Sequence, residues 1–154
     1  IMANIVFNIA KGRVAELYDR VKSNDPANSA LILIPIETSG LESDATLIDA
    51  DTVAAVLAGA TNEQSTMGRK TLTDSDLAAI PAPDDTNDRN ERSLPTVTWT
   101  AASGNAISKI LVAYDPDTTG GTDANLVPLT LFDFAQTPSG ADIQMTGGTF
   151  YRAS

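Results

Sequence analysis

Histidine and cysteine are both absent from the 154 residues. Together they would have supplied the commonest general acid–base, the commonest metal ligand and the best thiol nucleophile. Disulfides are excluded too, which fits synthesis in a reducing cytosol. A serine nucleophile needs a base, and without histidine only Lys11, Lys22, Lys70 or Lys109 remains; no spacing singles one out. Dinucleotide-binding and P-loop glycine patterns are missing, so nucleotide binding has no support. Long apolar runs are missing as well. The longest, Ala30 to Ile36, is strand-sized and contains Pro35, far short of the ~18 residues of a membrane span. The start has no basic stretch followed by an apolar one, so no secretory signal is expected.

Basic charge is scarce: 10 Lys and Arg against 20 Asp and Glu, a net charge of −10 and a pI near 4.2. Such a surface repels phosphate backbones and anionic lipid, so neither nucleic acid nor membrane is expected as a partner. Lys11, Arg13, Arg20 and Lys22 alternate with Glu16 and Asp19, which suits a solvated, salt-bridged face; Arg69 and Lys70 form a second small basic pair. At 16.1 kDa, with 42% apolar residues, the chain suits one domain, residues 1–154, with a core of its own.

Patterning predicts an α+β, mainly β fold: an antiparallel sheet or small sandwich with an N-terminal amphipathic helix and short helical insertions. Val14, Leu17, Tyr18 and Val21 form one apolar stripe, predicting a helix over 9–23 capped by Asn8 and stopped at Ser23-Asn24-Asp25-Pro26. Ser29–Glu37 is a buried strand in which Pro35 demands an edge or a bulge. Leu41–Asp51 is an acidic connection, and Thr52–Ala58 a short helix. Thr66–Leu72 is a strand, followed by a capping-box-like pair, Thr73 and Asp76. Pro81–Arg92 is an exposed polar loop. Leu94–Ala101 alternates, with Val97 and Trp99 on one face; Ile107–Tyr114 and Leu126–Phe134 are strands. Gly147-Gly148 predicts a hairpin between Ala141–Met145 and Thr149–Arg152. Residues 3–8 suit a short strand or an extended arm, and as an arm the segment would run over 1–8. Ile5, Val6 and Phe7 are too apolar to float in water, so they are expected to bind a partner, adding a strand to a neighbour's sheet.

Three places carry candidate chemistry. In DPDTTGGTDAN, Asp115, Asp117 and Asp123 mimic the first half of a calcium loop, but Leu126 stands where a bidentate Glu should close it. Asp and Gly are also ordinary turn residues, and no metal or cofactor is expected. Asp84, Asp85, Asp88 and Glu91 offer carboxylates for a glycosidase pair, yet nothing suggests the raised pKa such an acid needs. Asp84, Asp85 and Asp88 are better suited to contacts with basic residues of a partner. Trp99, Phe132, Phe134, Phe150 and Tyr151 suit a core more than a ligand-stacking platform.

The stretches FNIAKGRVAELYDRVKSNDPANSALILIPI, GRKTLTDSDLAAIPAPDDTNDR, LPTVTWTAA, ILVAYDPDTTGGTDANLVPLT and FYRAS cover most of the chain. With them the chain resembles small virion structural proteins of tailed bacteriophages, of the head decoration (cement) type. Leu72–Arg89 and Asp115–Thr130 carry most of the likeness, and no catalytic motif comes with it. The resemblance implies a non-enzymatic protein made in the host cytoplasm. It would bind the major capsid protein on the outer face of the mature head and self-associate as a trimer. A tail or neck subunit is the alternative. A carboxylate-dependent cell-wall hydrolase, or a carbohydrate-binding module using Trp99 and Tyr114, is a rival of another class.

Overall fold

Every residue from Ala30 to Ile36 is apolar, and the computed structural model, which describes residues 4–154, buries all of them in β2 (Ala30–Glu37). A strand covered on both faces has no polar face to alternate with. β2 lies inside a five-stranded antiparallel sheet ordered β1 (Ile5–Val6), β7 (Val127–Gln136), β6 (Ile107–Asp115), β2, β3 (Lys70–Leu72). Strand takes 34% and helix 13%, so the fold is α+β and mainly β.

Pro35 meets both of its constraints locally. β3 is opposite only Leu31–Leu33, so Pro35 lies past its end. On that side the Pro35 carbonyl accepts from the Gln64 amide at 2.9 Å, and the Glu37 amide donates to Asn62. N–H and C=O of one residue point the same way in an antiparallel strand, so the missing N–H takes nothing from the β6 ladder. A register shift follows between Ile36 and Glu37.

The predicted N-terminal helix is shorter than its pattern. Asn8–Ala10 forms a 3₁₀ turn, Gly12 takes φ +78, and only then does α1 (Val14–Lys22) begin. The left-handed glycine breaks the helical path. Asn8 does not cap α1; its side chain donates to Asp49, and the Arg13 N-cap has no side-chain bond. The stripe Val14, Leu17, Tyr18 and Val21 is buried as expected.

The arm reading is corrected. Ile5 and Val6 pair with Leu131 and Thr130 of the chain's own β7, the Asn4 and Phe7 amides donate to Leu131 and Leu129, and Phe7 is fully buried. Phe7 therefore has no surface to offer a partner, while Ile5 and Val6 pack half-buried against the core. Residues 1–3 of the proposed arm lie outside the described residues. The cause is β7, whose outer edge would be unpaired without this strand.

Several connections hold more structure than their polarity suggested. α2 (Asp44–Leu47) sits in the acidic stretch, capped by Ser43, and α3 (Val53–Val56) is capped by Thr52. Asp76 accepts from the Thr73 amide at 2.8 Å, and a single turn follows. The strand expected over 66–72 shrinks to Lys70–Leu72. The predicted exposed loop ends early, because β4 (Asn90–Leu94) begins inside it and Arg92 is buried.

Gly147-Gly148 is not a hairpin. β5 (Val97–Trp99) pairs with β8 (Ile143–Met145), and β4 pairs with β9 (Gly148–Ala153). The frame from Ser93↔Thr149 and Leu94↔Gly148 continues unbroken into Val97↔Met145 and Trp99↔Ile143. The four strands thus make one long two-stranded ribbon, pinched at Pro95 and Gly147. A Cβ on Gly147 would stand 2.7 Å from Leu94 O, Pro95 C and Thr96 N. Glycine serves close backbone approach here, not a turn. Gly147→Ala is expected to lose about 1–3 kcal/mol, the usual cost of overpacking. A urea titration in which it matches the wild type would refute the pinch.

The ribbon packs onto the rest through aromatics. Tyr18 of α1 lies 6.1 Å from Phe150, and Trp99 lies 6.3 Å from Phe134. One contiguous apolar core joins helix, sheet and ribbon.

Candidate functional site

The loop between β6 and β7 does not gather its carboxylates. Asp115, at the end of β6, is buried, and its Oδ1 accepts the Asp117 amide at 3.0 Å. It is therefore a strand-end residue, not part of a solvent loop. Asp117 accepts from the Thr119 amide and hydroxyl, an Asx turn. Asp123 turns instead to Arg69, which holds it at 2.6 and 2.9 Å and grips Glu63 at 2.8 and 2.5 Å. This double fork ties the β6–β7 loop to the chain before β3. Among the described residues no three acidic side chains are placed to share a metal ion.

Above this clamp is a cavity of 260 Å³, walled by Arg69, Thr71, Asp115, Thr118, Gly120 and Asp123 among others. The one cation on its wall is already saturated by two carboxylates. A hydroxyl-rich pocket remains, with no activated group in it.

The Asp84–Arg89 tip is likewise self-contained. Asp84 accepts from Asn87 at 2.8 Å and Arg89 at 2.9 Å, while Asp85 and Asp88 stay exposed. Glu91 lies on β4 and takes Arg152 of β9 at 2.5 Å across the ribbon. The structure brings Asp84 and Glu91 to the same Nε of Arg89, at 2.9 and 3.5 Å.

Burial takes Trp99, Phe132 and Phe150 out of the stacking platform, and Phe134 and Tyr151 pack partly buried against the core. Trp99 is 1% exposed and its Nε1 donates to Gly68 O at 2.9 Å; Tyr114 is also buried, and Phe132 and Phe150 belong to the core as expected.

Two buried polar groups had no sequence signal. Arg92 is 4% exposed, forked onto Asp19 at 2.6 and 2.8 Å, bonded to Asn90 and the Glu91 carbonyl, and stacked 5.9 Å from the Tyr18 ring centre. Gln64 is 1% exposed. It donates to Ser103 O and Asn105 O and accepts from the Thr66 and Met67 amides, all within 3.1 Å. Every hydrogen-bonding site of that amide that this arrangement needs is filled, which bolts two loops together.

The titrating groups report the same economy. Hydrogen bonds hold five carboxylates below their ordinary range: from Asn87 on Asp84, Arg152 on Glu91, Thr119 on Asp117, Arg69 on Asp123, and Lys109 on Asp133. Burial opposes the charge on Lys109, but Asp133 and Asp44 outweigh it and raise its pKa. A glycosidase acid needs the opposite, a carboxyl pushed up.

A pH dependence follows with a definite sign. A carboxylate whose folded pKa is depressed contributes stability that is full above its unfolded pKa, near ~4. That contribution is lost as pH falls through the folded pKa. With no histidine, little else titrates between about pH 5 and 8. The urea midpoint is expected to stay level over that range and to drop below about pH 4. Asp123→Asn lowers the midpoint at pH 7 and shrinks the acid-induced drop. A midpoint that rises in acid would contradict the assignment.

No helix among the described residues is long and apolar enough to cross a membrane. No protein-family model, curated protein or solved structure matches the chain.

Proposed function

We propose that this chain is a non-enzymatic virion structural protein, a capsid decoration or cement protein. It binds the major capsid protein on the outer face of a mature phage head and opposes the outward push of packaged DNA. The observation that carries the reading is how the charged side chains are spent. Arg69, Arg89, Arg92, Arg152 and Lys109 are all locked into structural ion pairs, and the shifted carboxylates are all shifted down. Among the described residues no carboxylate shift runs in the direction a general acid needs. An acidic exterior suits a protein facing solvent and coat subunits rather than DNA. The resemblance to tailed-phage decoration proteins points the same way.

A cement protein works by mass action. It binds the assembled lattice and not the dissociated subunits, so its binding free energy stabilises the lattice. Self-association as a trimer at local symmetry axes would let each unit span several coat subunits and multiply small contacts. Quantifying the chain in purified particles tests this. Copies comparable in number to the coat protein's symmetry sites are expected, and particles lacking the chain should keep their geometry but break at lower temperature. A handful of copies per particle would favour the tail or neck reading instead.

A further inference from the structure

Ile80 is the single large apolar side chain counted as exposed among the described residues, 43% open to solvent. It sits in the middle of Ala78-Ala79-Ile80-Pro81-Ala82-Pro83, six consecutive apolar residues that are all exposed and belong to no helix or strand. No backbone hydrogen bond holds residues 79–83 among the described residues. The segment is nevertheless tied at both ends. Before it, Leu77 is buried and Lys22 Nζ donates to the Asp74 and Leu77 carbonyls at 2.8 and 2.9 Å. After it, the Asp84–Arg89 turn is closed by a hydrogen bond of 2.9 Å from the Asp84 amide to the Arg89 carbonyl and by the ion pair of the same length. Pro81 and Pro83 restrict Ile80 and Ala82 to extended backbone. The result is a short, stiff apolar strap presented between two anchors, with little conformational entropy left to lose on docking.

Its surroundings say what it fits. Asp74 and Asp76 lie at one end, and Asp84, Asp85 and Asp88 at the other; only Asp84 is in a salt bridge among the described residues. A second copy of this chain is a poor match. Each of its arginines is already in a salt bridge among the described residues, and Lys22 and Lys109 are also engaged, leaving Lys11 and Lys70. We infer that the strap Ala78–Pro83 is the docking element for the coat lattice, inserting Ile80 into an apolar groove rimmed by lysine or arginine. This rests on the decoration reading above. The apolar strap supplies burial at the centre of the contact, and the aspartates supply register and attraction at its rim.

The test uses the full chain and capsids assembled without it. Binding is measured over a range of salt, and amide exchange of Ala78, Ala79, Ile80 and Ala82 is followed free and bound. Ile80→Asp is expected to weaken binding by about tenfold or more, as loss of a central anchor does. Asp74, Asp85 and Asp88 changed together to Asn should weaken binding and flatten its salt dependence. Both variants should melt with the wild type, because every altered side chain is exposed, and the strap amides should become protected on the capsid. If the wild type binds while both variants bind equally well and the strap stays unprotected, the docking assignment is overturned and the decoration reading stands. If the wild type does not bind capsids at all, both fall.

Discussion

Replacing Phe7 by alanine is expected to remove about 3–5 kcal/mol of stability, the usual cost of emptying a fully buried aromatic site. At about 2–4 °C per kcal/mol for a chain of this size, the melting temperature should fall by roughly 6–20 °C. Phe7 has no exposed surface, and its amide donates to Leu129 of β7 at 3.0 Å. Deleting the chain through Phe7 should be worse. It also removes β1, and with it the pairing of Ile5 and Val6 that covers the edge of β7. An unpaired edge strand with apolar neighbours invites aggregation, so the truncated protein should also lose solubility on heating. Calorimetry and light scattering check both. A truncated protein that melts like the full chain would mean that the segment is an arm after all, held by something other than its own sheet.

Removing Asp19 should be nearly as costly, for an electrostatic reason. Asp19→Ala leaves the Arg92 guanidinium, 4% exposed, without its carboxylate. Stranding a buried charge typically costs about 3–5 kcal/mol. Asp19 itself is 31% exposed at the side chain, so water can partly reach the gap and the lower end of that range is expected. Arg92→Met with Asp19→Leu removes both charges and should be less damaging than the two single losses added together. The interaction measured by such a cycle should be at least about 0.5 kcal/mol. Strict additivity would mean that the pair, despite its short forked geometry, is no more than a neighbour contact. Because Arg92 is screened from solvent, added salt should change the coupling little.

Much of the fold was legible because burial leaves a local trace. The stripe of α1 and the alternation of Val97 and Trp99 record which side of a short segment faces the core, and the apolar runs of β2, β6 and β7 record strands buried on both faces over much of their length. A residue's own neighbours in sequence carry that information. The Thr52 and Ser43 caps are of the same local kind; the short helix beginning at Thr52 is legible in the sequence, whereas the acidity around Ser43 masks the other.

What only the tertiary structure decided is which segments meet. Nothing around Asp19 names Arg92, 73 positions away, and nothing around Arg69 names Asp123, 54 positions away. Asp123 shares the local spacing of a calcium loop and of an ordinary turn, and neither pattern points to the distant guanidinium that holds it. Gly147 permits either a turn or a close backbone approach, and the choice fell to the strand that packs beside it. Pairing partners are selected by the shape and charge of surfaces that exist only once the chain has folded, so a sequence can mark an edge strand, a glycine or a carboxylate without saying what will lie against it.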